Sequence, residues 1–247
     1  LSNALTCGNL TINNLATLTT GSNNLTCNNL LLNGTGTLFA SGQVGGNSIT
    51  INGSATDDVS NTGTLTGGDG AITINGDLDI NTVTASSGNT TLNGANVTLH
   101  TFTHSSGTVE LNGTNQALTT GGVNFNNLTV SSGAGTVITT GTVNVGGNLT
   151  INAGDTLDCA TNNSQVGVGV DLTDNGTLTT GTQPLSITGS ATGSGVLTCG
   201  SGTLNVDGDF NITGNTTLSS ATSNIGGNFT ATGATFDANG GTIIFDG

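Results

Sequence analysis

The chain contains no Lys, Arg, Met, Trp or Tyr, and these absences remove whole classes of function. Nucleic-acid binding rests on phosphate neutralisation by Lys and Arg, so a chain with neither, a formal net charge of −14 and a pI near 4.1 should be repelled by DNA and RNA. Anionic membrane surfaces are excluded by the same argument. No stretch approaches the roughly 18 apolar residues that a membrane-spanning helix needs, so no membrane insertion is expected. The missing basic residues also leave trypsin nothing to cleave, and they make divalent cations the natural counter-charge for the acids. Both properties suit extracellular life. With neither a signal peptide nor an initiator Met, and with Leu1 already in mid-pattern, the chain reads as a mature or truncated piece of a secreted protein.

What is present is Gly, at 42 residues, with Thr, Asn and Ser. High Gly and Ser under a large net charge is compatible with disorder. The apolar residues argue against it, because they make up 32% of the chain and fall in short strict alternations, the mark of strands with one buried face. A nine-residue unit recurs: ITINGDLDI from Ile72, VNVGGNLTI from Val143, LNVDGDFNI from Leu204 and SNIGGNFTA from Ser223. Starts at Ile72, Thr90 and Val109, and again at Leu185, Leu204 and Ser223, give steps of 18 or 19 residues.

Strands of three to five residues bounded by Gly, Asn or Asp, with no amphipathic segment of helix length, define an all-β fold. A period near 20 selects a parallel β-helix, because each coil buries its face only against its neighbours. The expectation is one continuous β-solenoid over residues 1–247 with about 20 residues per coil, roughly 12 coils and essentially no α-helix. At about 4.8 Å per coil it would be a rod roughly 60 Å long. An irregular loop is expected near 53–70, carrying Asp57 and Asp58, and no separate cap domain. Leu149, Ile151, Val206, Phe210, Ile212 and Phe229 should face the core, with Phe229 stacked on Phe210 one coil away. Pro184, the only proline, stands at a strand entry, where its missing donor falls at a coil corner.

The middle section from Gly107 to Gly154, and the closing ATFDANGGTIIFDG, resemble the Gly/Thr/Asn-rich β-helical repeats of very large secreted bacterial surface proteins, akin to filamentous-haemagglutinin-like adhesins and autotransporter passenger domains. The likeness is one of repeat style over nearly the whole chain. It implies a right-handed parallel β-helix with a surface or fibre role, and it carries over no functional residue.

Few residues are candidates for chemistry. Asp77/Asp79 and Asp207/Asp209 occupy one corner of the unit and could hold Ca²⁺ through oxygen ligands. Sister copies carry Gly146/Asn148 or Gly226/Asn228 there, so solvated corner acids are the preferred reading and no cofactor is expected. His100 and His104 lie about 13 Å apart on an extended strand, too far to share a metal. Cys7 and Cys27 fall at one position of successive coils, either as stacked thiols or as a disulfide. Cys159 and Cys199 are two coils apart and should not be bonded. Polysaccharide-cleaving sites on β-helices need close carboxylates with basic and aromatic groups, whereas Glu110 is the only glutamate, so no enzyme is expected.

Fourteen N-x-S/T triplets occur, as a composition rich in Asn and Thr produces. Thr-x-Thr pairs at Thr17/Thr19, Thr64/Thr66, Thr82/Thr84, Thr101/Thr103, Thr177/Thr179 and Thr230/Thr232 raise ice binding, but their irregular spacing favours plain strand propensity. The leading functional expectation is an extracellular structural protein that stacks head to tail with copies of itself into a filament, sheath or surface appendage. The alternative is an adhesin stalk, with glycans or a host surface as partner.

Overall fold

The computed structural model describes residues 1, 3–39, 48–57, 62–131, 133, 135–232 and 235–247. The chain is an all-β solenoid of parallel sheets with about 11 turns of about 20 residues, and the described residues include no helix. It falls into two compact units, Leu1–Asn126 and Asn127–Gly247.

In the first unit each turn crosses three faces. The first face stacks Leu5–Thr6, Leu25–Cys27, Ile49–Ile51, Ile72–Ile74, Thr90–Leu92 and Thr108–Leu111 in that order. The second stacks Leu10–Ile12, Leu30–Leu32, Ala55–Asp57 and the opening halves of Leu78–Thr84 and Asn96–Thr103, then Ala117–Thr120. The third stacks Thr17–Thr19, Thr37–Phe39, Thr64–Thr66 and the closing halves of those two long strands. The second unit repeats the plan. Its first face runs from Asn127–Val130 to Phe229–Ala231, its second from Thr136–Thr140 to Phe236–Asp237, and its third from Val143–Val145 to Thr242–Phe245.

The alternation in the sequence sets which side chains enter the core. Apolar/polar/apolar triplets such as Leu149–Ile151 and Leu204–Val206 point their outer two residues inward and the middle one outward. Thr-Leu-Thr triplets such as Thr64–Thr66 and Thr177–Thr179 do the reverse. The inward residues stack on their equivalents one turn away: Ile72 on Thr90 on Val109, and Leu185 on Leu204 on Ser223. Leu149, Ile151, Phe210 and Ile212 are fully buried and Val206 is 1% exposed. Each such side chain contributes about 1.5–3 kcal/mol of burial free energy. Phe229 pairs in register with Phe210, with ring centroids 5.2 Å apart and an interplanar angle of 19°, but it is only half-buried, unlike the other five expected core residues.

At one corner of the first unit the backbones of successive turns touch. A Cβ on Gly94 would collide with the carbonyl of Gly76, and one on Gly113 with the carbonyl of Gly94, which is why this column holds only glycine. The irregular stretch near 53–70 is more regular than its sequence suggests. Ala55–Asp57 and Thr64–Thr66 are paired strands within it, so Asp57 ends a strand instead of sitting on a loop. Asp58 lies outside the described residues.

Candidate functional site

The corner acids act as rungs. In the second unit, residues that precede the first-face strands each accept the backbone N–H of their successor one turn on. Asn148 N–H donates to Asn127 Oδ1 (2.9 Å), Asp171 N–H to Asn148 Oδ1 (3.2 Å) and Ser190 N–H to Asp171 Oδ1 (2.7 Å). Asp209 N–H then donates to Ser190 Oγ (3.1 Å) and Asn228 N–H to Asp209 Oδ1 (2.7 Å). Asn, Asp and Ser interchange here because the ladder needs only a short side-chain oxygen. A ladder of the same kind in the first unit, at the entry to the second face, runs through Asn29, Ser54, Asp77 and Asn96. Asn96 binds both oxygens of Asp77 at 2.9 Å through its side-chain and backbone N–H, and these bonds hold the Asp77 carboxyl below its ordinary range.

The other predicted residues are dispersed. Asp79 lies on the outer surface with its Oδ1 2.8 Å from His100 Nε2, while His104 Nδ1 is 3.2 Å from the Ser105 carbonyl. Asp207 accepts from Asn205 Nδ2 at 2.6 Å. Among the described residues no group of three or more His, Cys, Asp or Glu is placed to hold a metal ion. All four cysteines are free thiols, Cys7 half-buried and the others buried. Burial, and then the neighbouring Cys7, push Cys27 up to about 11, and burial pushes Cys159 and Cys199 up to about 12.

Two buried acids were not singled out from the sequence. Asp155 is 2% exposed and Asp174 fully buried, and Oδ2 of each has no hydrogen-bond partner. Asp174 stands in register with Ile151, in a core position, and its Oδ1 accepts the Gly176 N–H at 3.2 Å. Burial pushes its carboxyl up to about 7, against backbone hydrogen bonds from Gly176 and Leu178 that favour the ionised form. The sequence signal was available: Asp174 falls on the inward side of LTD, where sister units carry Ile.

The threonines require a correction. Their sequence spacing is irregular, yet on the third face of the first unit they stand in register over five turns: Thr17/Thr19, Thr37/Phe39, Thr64/Thr66, Thr82/Thr84 and Thr101/Thr103. The steps are 20, 27, 18 and 19 residues, because turns differ in the length of what lies between strands while pairing holds the strands aligned. Thr177/Thr179 lies on the second face of the second unit, apart from this array, and Thr230 is a member of a first-face file. That file presents Thr129, Thr150, Thr173, Thr192, Asn211 and Thr230, and the first face of the first unit presents Thr6, Thr26, Thr50, Thr73, Thr91 and Glu110.

No protein-family model, curated protein or solved structure matches the chain.

Proposed function

We propose that the chain is an extracellular structural element, a β-solenoid subunit that stacks head to tail with copies of itself. The observation that carries this reading is the uniform ladder: strands pair in register with the turn before and the turn after, so another turn can be added by the same contacts. A contact of this kind does not close on itself and therefore propagates.

Electron microscopy of the purified chain tests the proposal. Fibres with an axial repeat set by one chain support it. Isolated particles at every concentration refute self-stacking and favour the stalk of a longer adhesin.

A further inference from the structure

We infer that the third face of the first unit is an ice-binding surface. The five registered turns place ten outward positions in two parallel files, nine of them Thr and one Phe39. Along each file the repeat is the strand spacing, about 4.8 Å, and across the files it is two residues of extended chain, about 6.7 Å. The array is about 19 Å long by the same spacing. These two repeats lie close to the oxygen repeats on the faces of hexagonal ice, and a solenoid holds them without adjustment because both are set by backbone geometry.

The double file separates this face from the first face, where the outward Thr6, Thr26, Thr50 and Thr73 form a single file. At the corners the asparagines satisfy one another along the stack: Asn29 donates to Asn9, Asn33 to Asn13, Asn93 to Asn75 and Asn112 to Asn93, at 2.6 to 3.1 Å. In the array, Thr37 Oγ1 donates to the Thr35 carbonyl at 3.4 Å and Thr82 Oγ1 accepts from Asn81 Nδ2 at 3.2 Å. Among the described residues the hydroxyls of Thr17, Thr19, Thr64, Thr66, Thr84, Thr101 and Thr103 bond to no protein group, so their partners are solvent. Side chains of this type are stiff at χ1, so little freedom is lost when ordered water settles on them. The methyl beside each hydroxyl restricts where neighbouring water can bond.

Charge points the same way. A chain with 14 acids and no Lys or Arg places none of the acids among the ten array positions. The nearest outward acid on the long strands is Asp79, paired with His100. A neutral ligand that presents donors and acceptors on a regular lattice fits this face, whereas a polyanion or a cation finds no counter-charge on it. Phe39, 39% exposed, interrupts one file between Thr19 and Thr66.

The test is thermal hysteresis and crystal shape in solutions of the full chain, compared with Thr64→Tyr and Thr82→Tyr in the middle of the array and Thr73→Tyr on the first face. Each substitution is on the outer surface, and unchanged thermal melts establish that each variant is folded. A freezing gap with faceted crystals, reduced several-fold in the two array variants and unchanged in Thr73→Tyr, is the expected result. No gap in the parent chain, equal activity in all three variants, or a loss confined to Thr73→Tyr overturns the inference. Binding of the parent chain to crystalline cellulose with no effect on freezing also overturns it and reassigns the face to polysaccharide. Each of these outcomes is distinguishable from the fibre test, which does not read the outer surface of the turns.

Discussion

Replacing Asp174 with Asn should flatten the pH dependence of stability, and the structure sets the size of the effect. The Asp174 carboxyl is raised from 3.8 to about 7 because it is fully buried with one oxygen unpartnered, and the backbone hydrogen bonds from Gly176 and Leu178 offset this only in part. A folded-state value above the unfolded one means that the folded chain binds the proton more tightly. The stability associated with the neutral acid is therefore fully present below about pH 4 and is lost as pH rises towards 7. Over about three pH units the loss is on the order of 4 kcal/mol, at about 1.4 kcal/mol per unit. In a chain of this size that corresponds to a fall in Tm of roughly 10 °C. Asp174→Asn keeps an oxygen for the Gly176 N–H and cannot ionise, so it should lack this component. The acids with lowered values do not confuse the reading. Asp77 contributes stability above its ordinary range that is lost as pH falls through its folded value, below the Asp174 window. Thermal melts of both chains at half-unit intervals from pH 4 to 8 give the difference. Parallel curves across that range would refute the reasoning, since they would mean that Asp174 ionises without cost.

The other predictions concern the ladder, the core and the thiols. Asp209→Asn should be nearly neutral and Asp209→Ala should cost about 1 kcal/mol, because only the acceptor for the Asn228 N–H matters; calcium should leave both melting points unchanged. Phe210→Ala should cost about 3–5 kcal/mol in denaturant unfolding, while Phe245→Ala, on an exposed ring, should cost far less. Val206→Asp, which buries an unpaired charge, should abolish the cooperative transition of its unit. In the native chain at pH 8 an alkylating reagent should modify Cys7 alone, and unfolding should release Cys27, Cys159 and Cys199; rapid native labelling of Cys159 would contradict its burial.

The fold was legible because it is written many times. Copies such as VNVGGNLTI and LNVDGDFNI fix which side of each strand faces inward, and the steps predicted from Ile72 to Val109 and from Leu185 to Ser223 are the observed registers. The threonine array was not legible, for a related reason. Sequence spacing measures the whole turn, whereas pairing aligns only the strands, so the step of 27 residues between Thr37 and Thr64 hid a continuous file. The exchange of Asp for Asn or Gly between copies was visible in the sequence. Its cause, a ladder in which any short side-chain oxygen accepts the next N–H, appears only when consecutive corners are seen stacked.

That alignment across unequal turns underlies both the core and the array, and its most demanding point is the pairing of Thr37 with Thr64. The direct measurement is the double substitution Thr37→Cys with Thr64→Cys, oxidised and mapped by mass spectrometry after cleavage at the aspartates. In-register parallel strands place the two Cα atoms about 4.8 Å apart, within disulfide range. The account predicts a bond between positions 37 and 64, and no bond when the second cysteine replaces Thr82 instead, one turn further on. A bond from position 37 to position 82, or none to position 64, would contradict it.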